Sequence, residues 1–204
     1  MPAPQSSGNT HEGRPVLGHV NLMIDTFIAN ANVEDLRAIV RSTIATNPST
    51  TAAFGSAARQ RMTQGSATGR TQYKELFVKK DGETVAGPDL SRALVHARSL
   101  YGVGLGVASL KVLACILRAT IGHQWEEGGI LENVFAEIDA DVSQGLQSTR
   151  EEIESGRLSD KTVALSGLGE LRSAIQDSKK EVERWGGVYP FERAASSMAY
   201  WKLA

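Results

Sequence analysis

The sequence predicts an all-α protein, a bundle of six to eight helices with at most one short β-hairpin. From Pro88 to the C-terminus, apolar residues recur every three or four positions, and no strand-length alternation interrupts them. Of the 204 residues, 41% are hydrophobic and 22% are charged, which suits a chain that buries a core. We expect residues 1–16, rich in Pro, Ser and Gly, to form a disordered tail. Residues 17–204 are predicted to form a single helical domain.

Composition also limits the classes of partner. The net charge of −1 provides no basic surface for nucleic acid or for an anionic membrane. The single cysteine, Cys115, excludes an internal disulfide, and we expect it to pack in the core. The N-terminal residues lack the apolar stretch of a secretory signal. We therefore expect an intracellular protein, in cytoplasm or nucleus, that is not secreted.

Three helices are predicted in the N-terminal part. The first includes residues 22–28, and Asn32 is the expected N-cap of the second, whose first turn is acidic. The second helix carries apolar residues at helical spacing and ends at the Asn47-Pro48 break. We expect Ser49 to cap a third helix over residues 50–62. A flexible connector follows at residues 63–72. The apolar positions of the second helix are Val33, Leu36, Ile39, Val40 and Ile44.

The one predicted β element is a hairpin near residues 76–85. Asp81-Gly82 is a pair that favours the positive φ angles of a tight turn between two short strands. A two-stranded hairpin is marginal by itself, so it must pack against the helices.

The long apolar stretch near the middle of the chain predicts a buried central helix that ends near Gly122. Residues 100–121 are long enough to span a membrane. However, Lys111 lies at the centre, where a lysine costs about 2.5–3.5 kcal/mol on insertion. Lys111 and Arg118 are seven residues apart and share one face, which predicts a narrow polar stripe on a helix buried elsewhere. We expect no membrane association.

A long antiparallel αα-hairpin is predicted over residues 129–185. Two helical patterns are separated by Gly156 and by Ser159, the expected second N-cap, and the second pattern ends at Gly186-Gly187. A last helix begins at Pro190. The positions of the two patterns are Leu131, Phe135, Ile138, Val142, Leu146, Thr149 and Ile153, followed by Leu165, Leu168, Leu171, Ile175, Val182 and Trp185.

Two motifs are candidate sites. Gly102, Gly104 and Gly106 resemble part of a dinucleotide-binding loop, but a helix rather than a strand precedes them. We expect these glycines to form a sharp turn and to permit close helix packing, without a cofactor.

His123 lies near acidic residues that we interpret as a solvated face, and no second histidine stands at ligand spacing, so we expect no metal. The acidic residues are Glu126, Glu127, Glu132, Glu137, Asp139 and Asp141.

Aromatic residues are concentrated at the C-terminus, where five of the twelve lie in the last 20 residues. One interpretation is that this segment folds into the core, and the other is that it contacts a partner. We predict an intracellular helical interaction or adaptor protein that binds another protein and has no recognisable catalytic site. The alternative is a small enzyme or ligand-binding protein with a pocket between helices near residues 102–106 and His123. The predicted partner-binding residues are Trp185, Tyr189, Phe191, Tyr200 and Trp201.

Overall fold

A computed structural model describes residues 20–67, 72–158 and 160–201, so the predicted disordered tail lies outside the described residues. The described residues form eight helices and one two-stranded sheet, which confirms the predicted mostly-α bundle with a short hairpin. The elements are α1 (Val20–Asn30), α2 (Val33–Thr46), α3 (Pro48–Ala67), β1 (Phe77–Lys80), β2 (Glu83–Ala86), α4 (Pro88–Gly102), α5 (Gly106–Arg118), α6 (Glu132–Glu154), α7 (Lys161–Trp185) and α8 (Glu192–Ala199).

Contacts divide the chain into two compact units, Met1–Ala53 and Phe54–Ala204. The single domain over residues 17–204 stays a prediction. In the first unit, Asn32 caps α2 as expected, because its side chain accepts a hydrogen bond from the Asp35 N–H at 2.8 Å. No side chain described between residues 23 and 53 is buried.

Two local predictions in this region are wrong. The side chain of Asn47, not Ser49, provides the cap of α3, because Asn47 Oδ1 accepts the Ser49 N–H at 2.9 Å. Proline is favoured at the first position of a helix, so the helix begins at Pro48 itself. The expected connector is also helical at its start, since α3 continues to Ala67.

The predicted buried central helix is α5, which packs against α4, α6 and α7. Leu110, Leu113 and Ile116 on α5 are fully buried. The helix ends at Arg118, a turn earlier than expected, and turns carry the chain to Gly122. None of the described helices is long and apolar enough to cross a membrane.

One edge of α5 faces solvent. Lys111 and Arg118 are exposed on it, as the sequence predicts. Cys115 is exposed as well, so its expected place in the core is wrong. The physical reason is its spacing, because Cys115 is four residues after Lys111 and three before Arg118 and therefore lies on the polar stripe.

The glycine-rich turn between α4 and α5 serves packing, as expected. Gly104 adopts a φ of +80°, which favours glycine. A Cβ atom on Gly106 would lie 2.2 Å from the backbone nitrogen of Thr149, so only glycine lets α5 approach α6 this closely.

The two long helices predicted over residues 129–185 are α6 and α7, and both pack on α5. The side chain of Asp160 caps α7 by accepting the Thr162 N–H at 2.8 Å, so the observed N-cap is not the expected Ser159, which lies outside the described residues. Leu165 is 55% exposed, so its predicted place on the apolar face of α7 is wrong.

The predicted hairpin is confirmed. The antiparallel strands β1 and β2 pair Phe77 with Ala86 and Lys80 with Glu83. Asp81 and Gly82 both have positive φ, at 52° and 90°, as their turn requires. Phe77 is buried in the core of the second unit, so the hairpin gains the packing that it needs.

Candidate functional site

The structure places the predicted C-terminal aromatic set mostly inside the second unit. Phe191 is fully buried, Tyr189 and Trp201 are buried, and Trp185 is half-buried at the end of α7. Tyr200 alone of the set is well exposed, at 81%. This burial favours the interpretation that the segment completes the core, and partner contact through these residues stays a prediction.

Three members of the set belong to one series of ring contacts. Phe191 lies between Phe135, with ring centroids 5.5 Å apart, and Tyr189, at 5.6 Å. Trp185 joins the same series through Trp125, which contacts both Trp185 and Phe135. Trp201 is held separately, where the guanidinium of Arg150 lies 5.2 Å from its ring centroid.

The two halves of the expected bundle pocket are not brought together. The turn at residues 102–106 precedes α5 and His123 follows it, and the thirteen residues of α5 extend over about 20 Å. His123 packs near Phe77, with ring centroids 6.2 Å apart. Burial, together with Lys79, lowers the pKa of the His123 imidazole.

The N-terminus of α5, where a phosphate group would bind in a dinucleotide site, is occupied by the protein itself. A carboxylate oxygen of Glu152 accepts the Val107 N–H at 2.9 Å, and Glu152 is buried. A second anion beside this carboxylate would be repelled. The site is therefore a helix cap provided by α6.

Three acidic residues of α6 are buried, so the predicted solvated face is wrong for Asp139 and Asp141. Asp139 Oδ1 accepts the Ala194 N–H of α8 at 2.7 Å, and burial raises the pKa of the Asp139 carboxyl. Asp141 accepts hydrogen bonds from Arg98 of α4 at 3.0 and 3.1 Å. The third buried acid is Glu152.

Asp141 also orders the end of α4. The Tyr101 hydroxyl donates to Asp141 Oδ1 at 2.8 Å. Desolvation, and secondarily the Asp141 carboxylate, raise the pKa of Tyr101 to about 12. The sequence does contain a signal for this arrangement, since Asp141, Gly145, Ser148 and Glu152 recur at helical intervals and are all buried beside the apolar stripe.

Among the described residues, no group of three or more His, Cys, Asp and Glu side chains is placed to hold a metal ion. Of the acids near His123, Asp139 caps α8, and Glu137 and Asp141 form ion pairs with Arg98. The other three, Glu126, Glu127 and Glu132, line a cavity together with Trp125 and Trp185.

The site that sequence reasoning missed is centred on Trp125 and Trp185. Their ring centroids lie 5.2 Å apart, and the ring planes meet at 85°. Trp125 also contacts Phe135, at 4.6 Å and 60°. Trp125 lies in the loop after α5, where no periodicity marks it, and the sequence predicts Trp185 only as a member of the C-terminal set.

Two cavities, of about 460 and 450 Å³, adjoin this tryptophan pair, and both have Trp125, Glu126 and Trp185 in their walls. We call the second cavity the tryptophan cleft. Its wall contains four acids and one base, whereas the whole chain has a net charge of only −1. The residues that define the cleft are Trp125, Glu126, Glu127, Gly128, Glu132, Phe135, Ala136, Asp139, Trp185, Gly186, Gly187, Val188, Pro190 and Arg193.

A glycine determines the position of the Trp185 ring. A Cβ atom on Gly187 would lie 2.0 Å from Cη2 of Trp185, so the ring rests directly on the backbone of Gly187. Gly186 precedes it with φ +78° and ends α7. The Trp185 indole N–H is buried and has no acceptor in the part of the chain that the structure describes, so ring packing alone fixes the side chain.

Comparison with known proteins identifies no relative. No family model matches the chain, and neither curated proteins nor solved structures show a significant similarity to it.

Proposed function

We propose that this protein is an intracellular helical interaction or adaptor protein, and that α1 and α2 bind another protein. The observation that carries the proposal is the exposure of the apolar residues on these two helices. Phe27 on α1 is 49% exposed and Val33 on α2 is 60% exposed. The other large apolar side chains exposed here are Met23, Ile24, Ile28 and Ile39.

Single exposed apolar residues are common on protein surfaces, but this case differs because no described side chain in the first unit is buried. Helices of 11 and 14 residues are marginal in water without tertiary packing. Burial of one large apolar side chain contributes about 1.5–3 kcal/mol. A partner that covers several of these side chains therefore stabilises the helices as it binds them.

The test compares two double variants of the full chain. In Ile24→Ala with Phe27→Ala, apolar surface is lost from α1 while helix propensity is maintained. In the control, Val95→Ala with Leu165→Ala, the side chains lost are 58% and 55% exposed in the second unit. Tagged chains are recovered from native cells, and bound proteins are identified by mass spectrometry.

We expect the wild type and the control to recover the same partner and the α1 variant to lose it, with unchanged circular dichroism. Equal recovery by all three chains contradicts the proposal. Light scattering provides the second readout. A dimer that the α1 changes abolish would identify the partner as a second copy of the chain and would overturn the adaptor assignment.

The alternative function, a small enzyme or a ligand-binding protein, stays a prediction, and the two regions named for its pocket lie at opposite ends of α5. For a ligand site in this protein, the tryptophan cleft is the location that we favour.

A further inference from the structure

We infer that the tryptophan cleft binds an organic cation, an ammonium group that carries alkyl substituents. This inference goes beyond the proposed function and does not rest on it, since the cleft lies in the second unit and the proposed contact helices lie in the first. Three features carry the inference: the arrangement of the rings, the uncompensated carboxylates and the size of the cavity.

The ring arrangement provides the first argument. When two aromatic rings meet edge to face at nearly a right angle, two concave corners form, each bounded by ring faces. The 85° contact of Trp125 and Trp185 is of this kind, and both residues line each of two cavities. The face of an indole ring carries negative potential and attracts a cation placed over it. Such a corner therefore favours a cation over an anion.

The tryptophan cleft has four acids in its wall, whereas the other cavity has two, Glu83 and Glu126. Glu126, Glu127 and Glu132 have no ion-pair partner among the described residues. The fourth acid, Asp139, lies 3.8 Å from Arg193, which compensates it. Three carboxylates thus remain without a counter-charge in the wall of one aromatic cavity. A bound cation would supply that counter-charge.

The size of the cavity indicates a molecule larger than a bare ion. About 450 Å³ lies within the usual range of small-ligand sites. Aromatic faces offer a metal ion no lone pairs, and no metal-binding group of side chains is placed among the described residues. An alkylated ammonium group fits both surfaces, because its methyl groups pack on the rings while its charge attracts the carboxylates.

The binding experiment uses choline and its uncharged isostere, 3,3-dimethylbutan-1-ol, with the full chain in a calorimeter. The two probes have the same shape and differ in charge, so the comparison isolates the cation. We expect choline to bind at least tenfold more tightly and to weaken as salt is added. Equal binding of both probes, or no binding of either at millimolar concentration, overturns the inference.

Charge variants provide the matched control. Glu127 and Glu132 are exposed residues of the cleft, and Glu83 is an exposed residue that lines only the other cavity. We expect Glu127→Gln with Glu132→Gln to weaken choline binding several-fold at unchanged melting temperature, and Glu83→Gln to leave it unchanged. An equal effect of Glu83→Gln would place the cation elsewhere and contradict the inference.

Gly187→Ala tests the rings without changing any charge, because the added methyl group must displace the Trp185 ring. We expect choline binding to be lost. If this variant does not fold, the charge variants still decide the question. A peptide with a trimethylated lysine, titrated beside choline, distinguishes the source of the ammonium group: tighter binding of the peptide identifies a protein side chain, and tighter binding of choline identifies a free small molecule.

Discussion

Glu152 of α6 accepts a hydrogen bond from the backbone N–H of Val107, the second residue of α5, at 2.9 Å. Asp139 of the same helix accepts the N–H of Ala194 in the first turn of α8. The N-cap residues of these two helices, Leu105 and Phe191, provide no side-chain cap of their own. α6 therefore supplies from a distance the caps that the local sequences of α5 and α8 lack.

The first prediction concerns the Glu152 cap. Glu152→Ala should lower the free energy of unfolding by about 1–3 kcal/mol, because it leaves the Val107 N–H buried without an acceptor. Glu152→Gln keeps an acceptor oxygen and should cost less. Urea denaturation measures both, with the exposed neighbour Glu151→Gln as control. Equal stability of Glu152→Ala and the wild type would show that the cap does not contribute.

The second prediction concerns pH. Burial raises the pKa of Asp139 in the folded chain above its usual value of about 4. Between these two pKa values, the folded state holds a proton that the unfolded state has released. The stability from Asp139 is therefore fully present below the usual pKa and is lost as pH rises through the raised pKa. Asp139→Asn, which keeps an acceptor for Ala194, should remove this loss. The check is the difference between the two unfolding free energies from pH 3 upward (about one unit below the usual pKa); a difference that does not vary with pH contradicts the shift.

A third prediction contrasts two glycines of one turn. Gly106→Ala places a Cβ atom 2.2 Å from the backbone of Thr149, so α5 and α6 must separate. We expect a loss of about 1–3 kcal/mol or more. At Gly102, a Cβ atom meets nothing within 4 Å, and Gly102→Ala should be neutral or stabilise α4 by up to about 1 kcal/mol. Thermal melts of the two variants should therefore shift in different directions or by clearly different amounts.

The central helix gives a fourth prediction. Leu113 is fully buried, and Leu113→Ala should cost about 2–5 kcal/mol. Lys111 lies on the exposed edge of the same helix, so Lys111→Ala should cost much less. Chemical denaturation compares them directly. Similar losses for the two variants would mean that the burial of α5 is assigned to the wrong face.

The fifth prediction is that substitutions of the neighbouring residues Tyr200 and Trp201 differ in their effect on stability. Tyr200 is 81% exposed, so Tyr200→Ala should leave the melting temperature unchanged. Trp201 is buried and lies under Arg150, so Trp201→Ala should cost about 3–5 kcal/mol. A loss of partner recovery in the stable Tyr200 variant would support contact through this residue. Destabilisation by Tyr200→Ala would contradict its placement.

Features with local causes were predictable from the sequence. The Asn32 cap, the Asp81-Gly82 turn and the break at Pro48 each depend on residues within a few positions of one another, and each was confirmed. The errors at Cys115 and Asp141 have a different origin. Both residues lie beside an apolar stripe, and the packing of neighbouring helices decides whether such a flank is covered.

The tryptophan cleft was beyond prediction for a related reason. Trp125 and Trp185 are distant in sequence, and their contact depends on how the loop after α5 meets the end of α7. No periodic pattern encodes that meeting. Gly186-Gly187 offers a partial signal, because two successive glycines after a helix end leave space that a large ring can occupy.

The exposed edge of α5 has a practical consequence. The chain has one thiol, Cys115, and it is at the surface of the most deeply packed helix. A fluorophore or spin label attached there reports on the surroundings of α5 without any engineered residue. Although Cys115 is exposed, partial desolvation by its neighbours raises the pKa of its thiol, so labelling should be slow at neutral pH and accelerate in mild alkali. The same label on Cys115, three residues before Arg118, would measure whether α5 stays packed when a partner or a cation binds elsewhere.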